Sequence, residues 1–209
     1  MMGLLSLLKR GTRWDSLADL PVIETKRLRV AALVPEDADD LRRLTDDPAV
    51  TGAVDFLPET FTLADARGLI RSTRGGRDVF LGARAWMTGD LVAVVGTHMR
   101  ALQSIEIGYW VGGAARGRGY GAEAVGAVVG TLAHRFARRA VVAECRPENH
   151  ASWQMLHKLG FRPTGDEGHR PGRKILVWDI REAPRARPAA LLPRRAGAPR
   201  PAGGEGQPL

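Results

Sequence analysis

The stretch that decides the fold is IEIGYWVGGAARGRGYG, residues 105–121, together with the periodic segment that follows it. Residues 105–111 have the β-branched and aromatic composition of a strand. Beyond residue 121, apolar residues recur with the spacing of one helical face, at Val125, Val128, Val129, Leu132, Ala133 and Phe136. A strand, a glycine-rich loop and a helix therefore follow one another. In this order the first-turn amides of the helix, which have no intrahelical acceptor, lie beside the loop.

The glycine-rich loop has the chemistry of an anion-binding site. Gly117, Gly119 and Gly121 let the backbone approach an anion without a Cβ clash, and the helix dipole adds about half a positive charge. Arg116 and Arg118 can add charge-assisted hydrogen bonds. We expect the loop to bind a pyrophosphate, with a plain solvated turn as the alternative. No Gly-Lys-Ser/Thr follows, so the loop is not of the Walker type.

A dinucleotide-binding site is a second alternative for this loop. Gly117, Gly119 and Ala122 fit the pattern Gly-x-Gly-x-x-Ala, and Glu144 follows Gly119 by 25 residues at the end of a predicted strand. That pattern normally follows the first strand of a parallel unit. Three strands that are predicted to form an antiparallel meander precede it here, which disfavours an NAD(P)-binding oxidoreductase.

The remaining elements indicate a mixed α/β chain. A first strand is predicted at residues 27–33, followed by two helices, of which the second begins at a capping box of Thr62 and Asp65. The meander, the periodic helix and a short buried strand come next. Asn149 is predicted to cap a last helix, and two strands complete the sheet. The fold class is therefore α/β (mixed α+β).

Charge and composition divide the chain into three parts. The formal net charge of the 209 residues is +8, of which residues 1–13 carry +3 and residues 184–209 carry +4. The middle is close to neutral, so no nucleic-acid-binding face is expected. We predict an N-terminal extension at residues 1–20, a folded domain at 21–183, and a disordered basic Pro/Ala/Arg-rich tail at 184–209.

Cysteine usage and hydropathy indicate the compartment. Cys145 is the single cysteine, so an internal disulfide framework is excluded. No apolar run approaches the roughly 20 residues that span a bilayer. The sequence therefore predicts a cytoplasmic protein without a transmembrane segment.

Several motifs together resemble the GNAT superfamily of acyl-CoA-dependent N-acetyltransferases. Arg116, Gly119 and Gly121 match, in order, the family's cofactor loop Arg/Gln-x-x-Gly-x-Gly/Ala. The flanking segments IEIGYWV at 105–111, NHAS at 149–152 and LGF at 159–161 look like the strand before that loop and the family's second motif. With ETKRL at 24–28, the combination is most similar to the Rim-type (ribosomal-protein-alanine) branch.

The resemblance implies a fold and a donor substrate. It implies a three-layer fold with a mostly antiparallel sheet of six to seven strands, splayed in the middle and covered by helices on both faces. Acetyl-CoA would donate an acetyl group, without a metal, to a primary amine of a protein N-terminus or a small molecule. The cofactor-binding residues that it implies are Trp110, Val111, Arg116, Gly117, Arg118, Gly119, Tyr120, Gly121 and Asn149.

The resemblance also suggests the catalytic groups of a direct attack in a ternary complex. Glu106 is the candidate base, because strand alternation turns it toward the predicted cleft; His98 and His150 are rivals. Ser152, three residues past Asn149, is the candidate acid for the leaving thiolate. Many family members have a tyrosine where this chain has Leu156, so Ser152 or a water must supply the proton. A non-catalytic acyl-CoA-binding domain remains an alternative, and a homodimer is left open.

Overall fold

The computed structural model describes residues 16–100 and 103–179, without the side chain of Arg74. The basic tail predicted at 184–209 and residues 1–15 of the predicted N-terminal extension fall outside these residues. Within them, Leu17 and Leu20 are buried in the core, and the amide of Leu17 donates to the carbonyl of Gly76 at 2.8 Å. The packed part of the chain therefore includes residues before the boundary expected at 21.

In the part of the chain that the structure describes, eight strands form one sheet in the order β1-β2-β3-β4-β5-β6-β8-β7. Their bounds are β1 Ile23–Glu24, β2 Leu28–Ala32, β3 Asp78–Ala85, β4 Leu91–Arg100, β5 Ser104–Val111, β6 Ala140–Cys145, β7 Phe161–Glu167 and β8 Lys174–Trp178. Among these strands, β5 and β6 pair in parallel and every other neighbouring pair is antiparallel. The mostly antiparallel sheet is confirmed, with one short strand, β1, more than expected.

Within the described ranges, five α-helices accompany the sheet. They are α1 Ala38–Thr45, α2 Pro48–Thr51, α3 Leu63–Ser72, α4 Tyr120–Arg135 and α5 His150–Lys158. The sequence prediction omitted α2, which begins after an Asp47 side chain that accepts from the amide of Ala49 at 2.9 Å. The capping box at Thr62 and the cap at Asn149 both form as predicted. None of the helices in the described ranges is both long and apolar enough to cross a bilayer.

Helices pack on both faces of the sheet, as expected. On one face, Ile105 and Ile107 of β5 share a hydrophobic cluster with Val125 and Val128 of α4. On the other face, Trp110 packs in a second cluster with residues of α1 and α3. Successive residues of a strand point to opposite faces, so β5 contributes to both clusters and lies at the centre of the molecule.

The sheet splays between β5 and β6. Their parallel register runs from Ser104 opposite Ala140 to Ile107 opposite Ala143 and stops there. Beyond that point β5 stays paired with β4 as far as Val111, and β6 stays paired with β8 as far as Cys145. The two halves of the sheet therefore continue on either side of a gap, which confirms the splay that the resemblance implied.

Candidate active site

The gap between β5 and β6 opens into a cleft of about 600 Å³. Ten of the eleven predicted site residues line it, and Arg118 does not. The lining ten are Glu106, Trp110, Val111, Arg116, Gly117, Gly119, Tyr120, Gly121, Asn149 and Ser152. The fold thus brings the residues of three separate segments of the sequence into one site.

The glycines of the loop at the start of α4 have two different roles. Gly117 and Gly119 adopt φ of 71° and 78°, in the left-handed region that favours glycine, and Gly119 is the N-cap of α4. Gly121 lacks a positive φ and is buried; a Cβ there would lie 2.9 Å from Cγ2 of Val111. The missing side chain at Gly121 therefore allows α4 to pack against β5.

The side chains of the two loop arginines do not converge on one point, and each makes its own contacts. Arg116 donates from Nε to the carbonyl of Val111 at 3.1 Å and from Nη2 to Asp47 Oδ2 at 3.1 Å. The guanidinium carbon of Arg118 lies 5.4 Å from the ring centroid of Tyr120. Arg116 thus fastens the loop to the end of β5 and occupies the Val111 carbonyl, while its side chain remains partly exposed.

Arg27 is a neighbour of the loop that sequence analysis placed only in the first strand. Its Nη1 donates to the carbonyl of Arg118 at 2.9 Å, and its guanidinium carbon lies 4.6 Å from the ring centroid of Tyr120. Glu123 holds it in place through an ion pair of 2.6 Å. Burial opposes ionisation of Glu123, but hydrogen bonds from Thr25 and Arg27 outweigh burial and lower its pKa.

Glu106, the predicted base, is buried in the cleft and paired with two arginines. Its Oε2 accepts from Arg100 Nε at 2.8 Å, and its Oε1 accepts from Arg170 Nη1 at 2.8 Å. Burial raises the pKa of this carboxyl, but the hydrogen bonds and charges of the two arginines outweigh burial, and the net pKa is lowered. Glu106 is therefore ionised at neutral pH, and its negative charge is balanced.

The loop between β7 and β8 supplies the arginine that reaches Glu106. Arg170 Nη1 also lies 2.9 Å from Glu144 Oε2 on β6, so one guanidinium joins both edges of the gap. Glu144 Oε1 accepts from His169 Nδ1 at 2.6 Å. Glu144, the acidic residue of the dinucleotide interpretation, is thus bound by this loop, and the meander before the glycines is present as predicted.

Three polar side chains of the cleft meet on the α4 side of the sheet. The hydroxyl oxygen of Tyr109 lies 2.6 Å from Ser152 Oγ, and the Ser152 hydroxyl also bonds the side chain of Cys145. Sequence analysis did not identify Tyr109 as a partner of Ser152. Burial raises the pKa of the Tyr109 hydroxyl, although its bond with Ser152 acts in the opposite direction.

The other candidates are held by structural contacts. Asn149 Oδ1 accepts from the amide of Ser152 at 3.2 Å, which caps α5 and leaves its side-chain amide group at the cleft. His98 lines the cleft, with Nδ1 2.7 Å from Asp78 Oδ1 and its ring against Phe80. His150 is exposed at the start of α5 and is absent from the cleft lining.

Known proteins share this chain's sequence pattern and fold. The uncharacterized N-acetyltransferase p20 of Bacillus licheniformis is 28% identical over 171 residues, which cover 76% of this chain and 94% of p20. RimJ of Mycobacterium smegmatis, in complex with CoA-disulfide, superposes with a TM-score of 0.62 at 21% identity, covering 76% of this chain and 85% of RimJ. RimL, a ribosomal L7/L12 alpha-N-protein acetyltransferase in complex with coenzyme A, gives 0.64 at 18% identity, covering 76% of this chain and 96% of RimL.

A family model agrees with these similarities. The model of the acetyltransferase (GNAT) domain matches residues 27–162, which is more than half of the chain. The match includes β5, the glycine loop, α4 and α5, the elements that form the cleft. The resemblance noted in the sequence is therefore confirmed, with Rim-type enzymes among the structural neighbours, and this chain belongs to the acetyltransferase (GNAT) family.

Proposed function

We propose that this protein is an N-acetyltransferase that moves an acetyl group from acetyl-CoA to a primary amine by direct attack in a ternary complex. One observation carries the proposal: the gap between β5 and β6 meets the glycine loop at one end and holds a carboxylate and a hydroxyl pair on opposite faces of the sheet. A thioester lying in the gap would therefore be in the same cleft as the carboxylate and the hydroxyl pair.

The donor half of the cleft suits coenzyme A. The first-turn amides of α4 have no intrahelical acceptor and, with the positive helix dipole, favour a pyrophosphate. The edge of β5 beyond Ile107 faces no strand, so main-chain groups on that edge near Trp110 and Val111, other than the Val111 carbonyl that Arg116 occupies, are available to the pantetheine amides. Arg116 and Arg27 would add positive charge, and RimJ and RimL, which share the fold, were both found with coenzyme A.

The acceptor amine would approach on the face that carries Glu106. An attacking amine must be neutral, and at pH 7 an α-amine of pKa about 8 costs about 1.4 kcal/mol to deprotonate, against roughly 4.6 kcal/mol for a lysine. Glu106 is ionised but has a lowered pKa, so it is a weak base that acts best on a weakly basic amine, directly or through water. This comparison favours an α-amine of a peptide or protein, or a small amine of low pKa.

The leaving sulfur would lie on the face that carries Ser152. The thiolate needs a hydrogen-bond donor and finally a proton, and Leu156 offers neither. Ser152 lies on the first turn of α5 at the edge of the gap and is one member of the cleft's hydroxyl pair. Tyr109, the other member, lies beside it. We therefore assign Ser152 as the group that donates to the departing sulfur.

Cys145 is not assigned a covalent role. Burial raises the pKa of its thiol, and the hydrogen bond from Ser152 only partly offsets burial. A protonated thiol is a poor nucleophile compared with a thiolate, so transfer through an acetylated cysteine is disfavoured. Cys145→Ala should retain most of the turnover if the amine attacks the thioester directly, and should abolish turnover if the acetyl group passes through the thiol.

The test is release of coenzyme A thiol from acetyl-CoA with a panel of acceptors. The panel contains peptides with a free N-terminus, the same peptides with a blocked N-terminus and a free lysine, and small amines. We expect turnover with the first or third group, and Ser152→Ala should lower kcat more than it changes KM for acetyl-CoA. Acetyl-CoA binding without thiol release for any acceptor would instead establish a non-catalytic binding domain, and unchanged kcat in Ser152→Ala would remove Ser152 as the donor.

A further inference from the structure

We infer that Tyr109 is a positioning residue that orients the hydroxyl of Ser152 toward the leaving sulfur. The inference rests on the proposed function and adds a residue that acts on the thiol side of the reaction. It concerns a side chain of β5, whereas Ser152 belongs to α5, so the two hydroxyls come from opposite walls of the cleft.

The hydrogen bond between the two hydroxyls spans the gap in the sheet. Tyr109 lies two residues beyond Ile107, the last residue of β5 that pairs with β6. Its hydroxyl oxygen lies 2.6 Å from Ser152 Oγ, and both residues line the cleft. The ring of Tyr109 packs against the cluster beneath α4, which fixes the position of the hydroxyl. The pair is therefore held at the place where a thioester in the gap would present its sulfur.

The chemistry of the two hydroxyls sets the direction of the bond. A phenol is a stronger hydrogen-bond donor than an aliphatic hydroxyl, and burial raises the pKa of Tyr109 above its ordinary value of 10.0, so Tyr109 keeps its hydrogen and donates. Ser152 then accepts from Tyr109 and has its own hydrogen directed at a sulfur acceptor, and a departing thiolate is a stronger acceptor than a neutral thiol because it is charged. That hydroxyl already bonds a sulfur, the side chain of Cys145, which lines the same cleft.

The direction of this chain of hydrogen bonds suits thiolate departure. In the transfer, the bond between nitrogen and the acetyl carbon forms, and the bond between carbon and sulfur breaks with its electron pair on sulfur. The nitrogen loses its proton to Glu106, directly or through water. The sulfur gains a proton from water, or from Ser152, which water then reprotonates, so no other reactant is needed. Tyr109 keeps its own proton, and a serine that accepts a hydrogen bond becomes a better donor to the sulfur.

A purely structural role for Tyr109 makes a different prediction, and a double-mutant cycle separates the two. Tyr109→Phe keeps the ring and removes the hydroxyl. Steady-state kinetics with acetyl-CoA should show kcat lowered roughly tenfold, as expected for one lost hydrogen bond, with KM for acetyl-CoA little changed. In a Ser152→Ala background, the same substitution should have no further effect on kcat, because Tyr109 then has no hydroxyl to orient.

A matched hydroxyl deletion controls for loss of a part-buried hydrogen bond elsewhere. Thr131 of α4 donates to the carbonyl of Ala127 at 2.9 Å and does not line the cleft, so Thr131→Val should leave kcat unchanged. In thermal unfolding, the Tm of Tyr109→Phe and that of Thr131→Val should each lie within about 4 °C of the wild-type Tm. Independent, multiplicative losses for Tyr109→Phe and Ser152→Ala, or an unchanged kcat in Tyr109→Phe, would overturn the inference while leaving the acetyltransferase proposal intact. Wild-type protein that turns over no amine would overturn both.

Discussion

Arg170 and Glu106 are 64 residues apart in the sequence, yet they form an ion pair of 2.8 Å in the cleft. The same guanidinium nitrogen lies 2.9 Å from Glu144. Glu106 is on β5 and Glu144 is on β6, so Arg170 bridges the two halves of the sheet near the point where their main-chain pairing ends. The ion pairs of Arg170 therefore hold the two halves of the sheet together where main-chain hydrogen bonds between β5 and β6 are absent.

Loss of Arg170 should destabilise the fold measurably. Arg170→Met would leave two buried carboxylates near one another, with one guanidinium fewer to balance them. Removing one partner of a buried ion pair costs roughly 3 kcal/mol, which corresponds to a fall in Tm of about 6–12 °C in a protein of this size. Differential scanning calorimetry or thermal unfolding followed by circular dichroism would measure it.

Arg43 provides the control for Arg170. It pairs with Asp40 on the surface of α1, and its side chain is 63% exposed. Arg43→Met should therefore cost less than about 1 kcal/mol. Equal destabilisation by the two substitutions would show that the bridge across the gap contributes no more than a surface ion pair.

Stability should decrease at acidic pH because of the cleft carboxylates. The pKa values of Glu106 and Glu144 in the folded protein are lowered from an ordinary value of 4.5, since the arginine and histidine partners outweigh burial. Their contribution to stability is therefore fully present above pH 4.5 and is lost as the pH falls through the lowered folded values. Tm measured between about pH 3 and pH 7 should be level near neutrality and fall below pH 4.5; a Tm that stays level to pH 3 would contradict these shifts.

Local signals in the sequence were sufficient to predict most helices and strands. The periodic apolar face predicted α4, and the Thr62–Asp65 box and the Asn149 cap predicted the starts of α3 and α5, all of which the structure confirms. The missing α2 is four residues long, too short for periodicity to register. Strand β1 has two residues, which is too short to show an alternation of buried and exposed residues. Its pairing is therefore visible only from the position of β2 in the structure.

The contacts that complete the cleft could not be derived from local patterns. Arg27 meets Glu123 across 96 residues, and Tyr109 meets Ser152 across 43. Each pair joins elements whose proximity follows from the order of strands in the sheet, which periodicity does not encode. Motif spacing therefore predicted the loop and the starts of α4 and α5. The partners of those residues required the three-dimensional structure.

Glu106→Gln tests the base and predicts a pH profile. Glutamine can still accept hydrogen bonds from Arg100 or Arg170 but cannot take a proton, so kcat should fall about 100-fold with KM for acetyl-CoA unchanged. In the wild type, the lowered pKa keeps Glu106 ionised throughout the neutral range. The rise of kcat/KM with pH should therefore follow the pKa of whichever amine is the acceptor, and steady-state rates with two amines of different pKa would measure it.

Asp78 is the matched control for Glu106. It lies 3.8 Å from Arg100 and 2.7 Å from His98, in the row across β3, β4 and β5 that also contains Glu106. Asp78→Asn therefore removes a carboxylate from the same group of charges without removing Glu106. Its kcat should stay close to that of the wild type. An apparent pKa that is the same for both amines would point to a titrating group of the protein and would argue against Glu106 as the base.

The glycine at the start of α4 should control donor binding. Gly119 has a φ of 78°, and a Cβ there would lie 3.3 Å from Arg27 Nη2. Gly119→Val therefore combines backbone strain of about 1–2 kcal/mol with displacement of an arginine that borders the loop. The first-turn amides would move from the position that a pyrophosphate needs, so we expect KM for acetyl-CoA to rise at least tenfold, as measured by initial rates at saturating amine.

The same helix supplies a control for that substitution. Gly130 lies on α4, and a Cβ there would meet no atom within 4 Å, so Gly130→Val adds the same side chain without strain or contact. Its KM for acetyl-CoA should match that of the wild type, and its Tm should be no lower, since glycine is a poor residue for a helix interior. If Gly119→Val binds acetyl-CoA as tightly as Gly130→Val does in a calorimetric titration, the amides of the α4 N-terminus do not hold the diphosphate, and the donor must bind by other contacts.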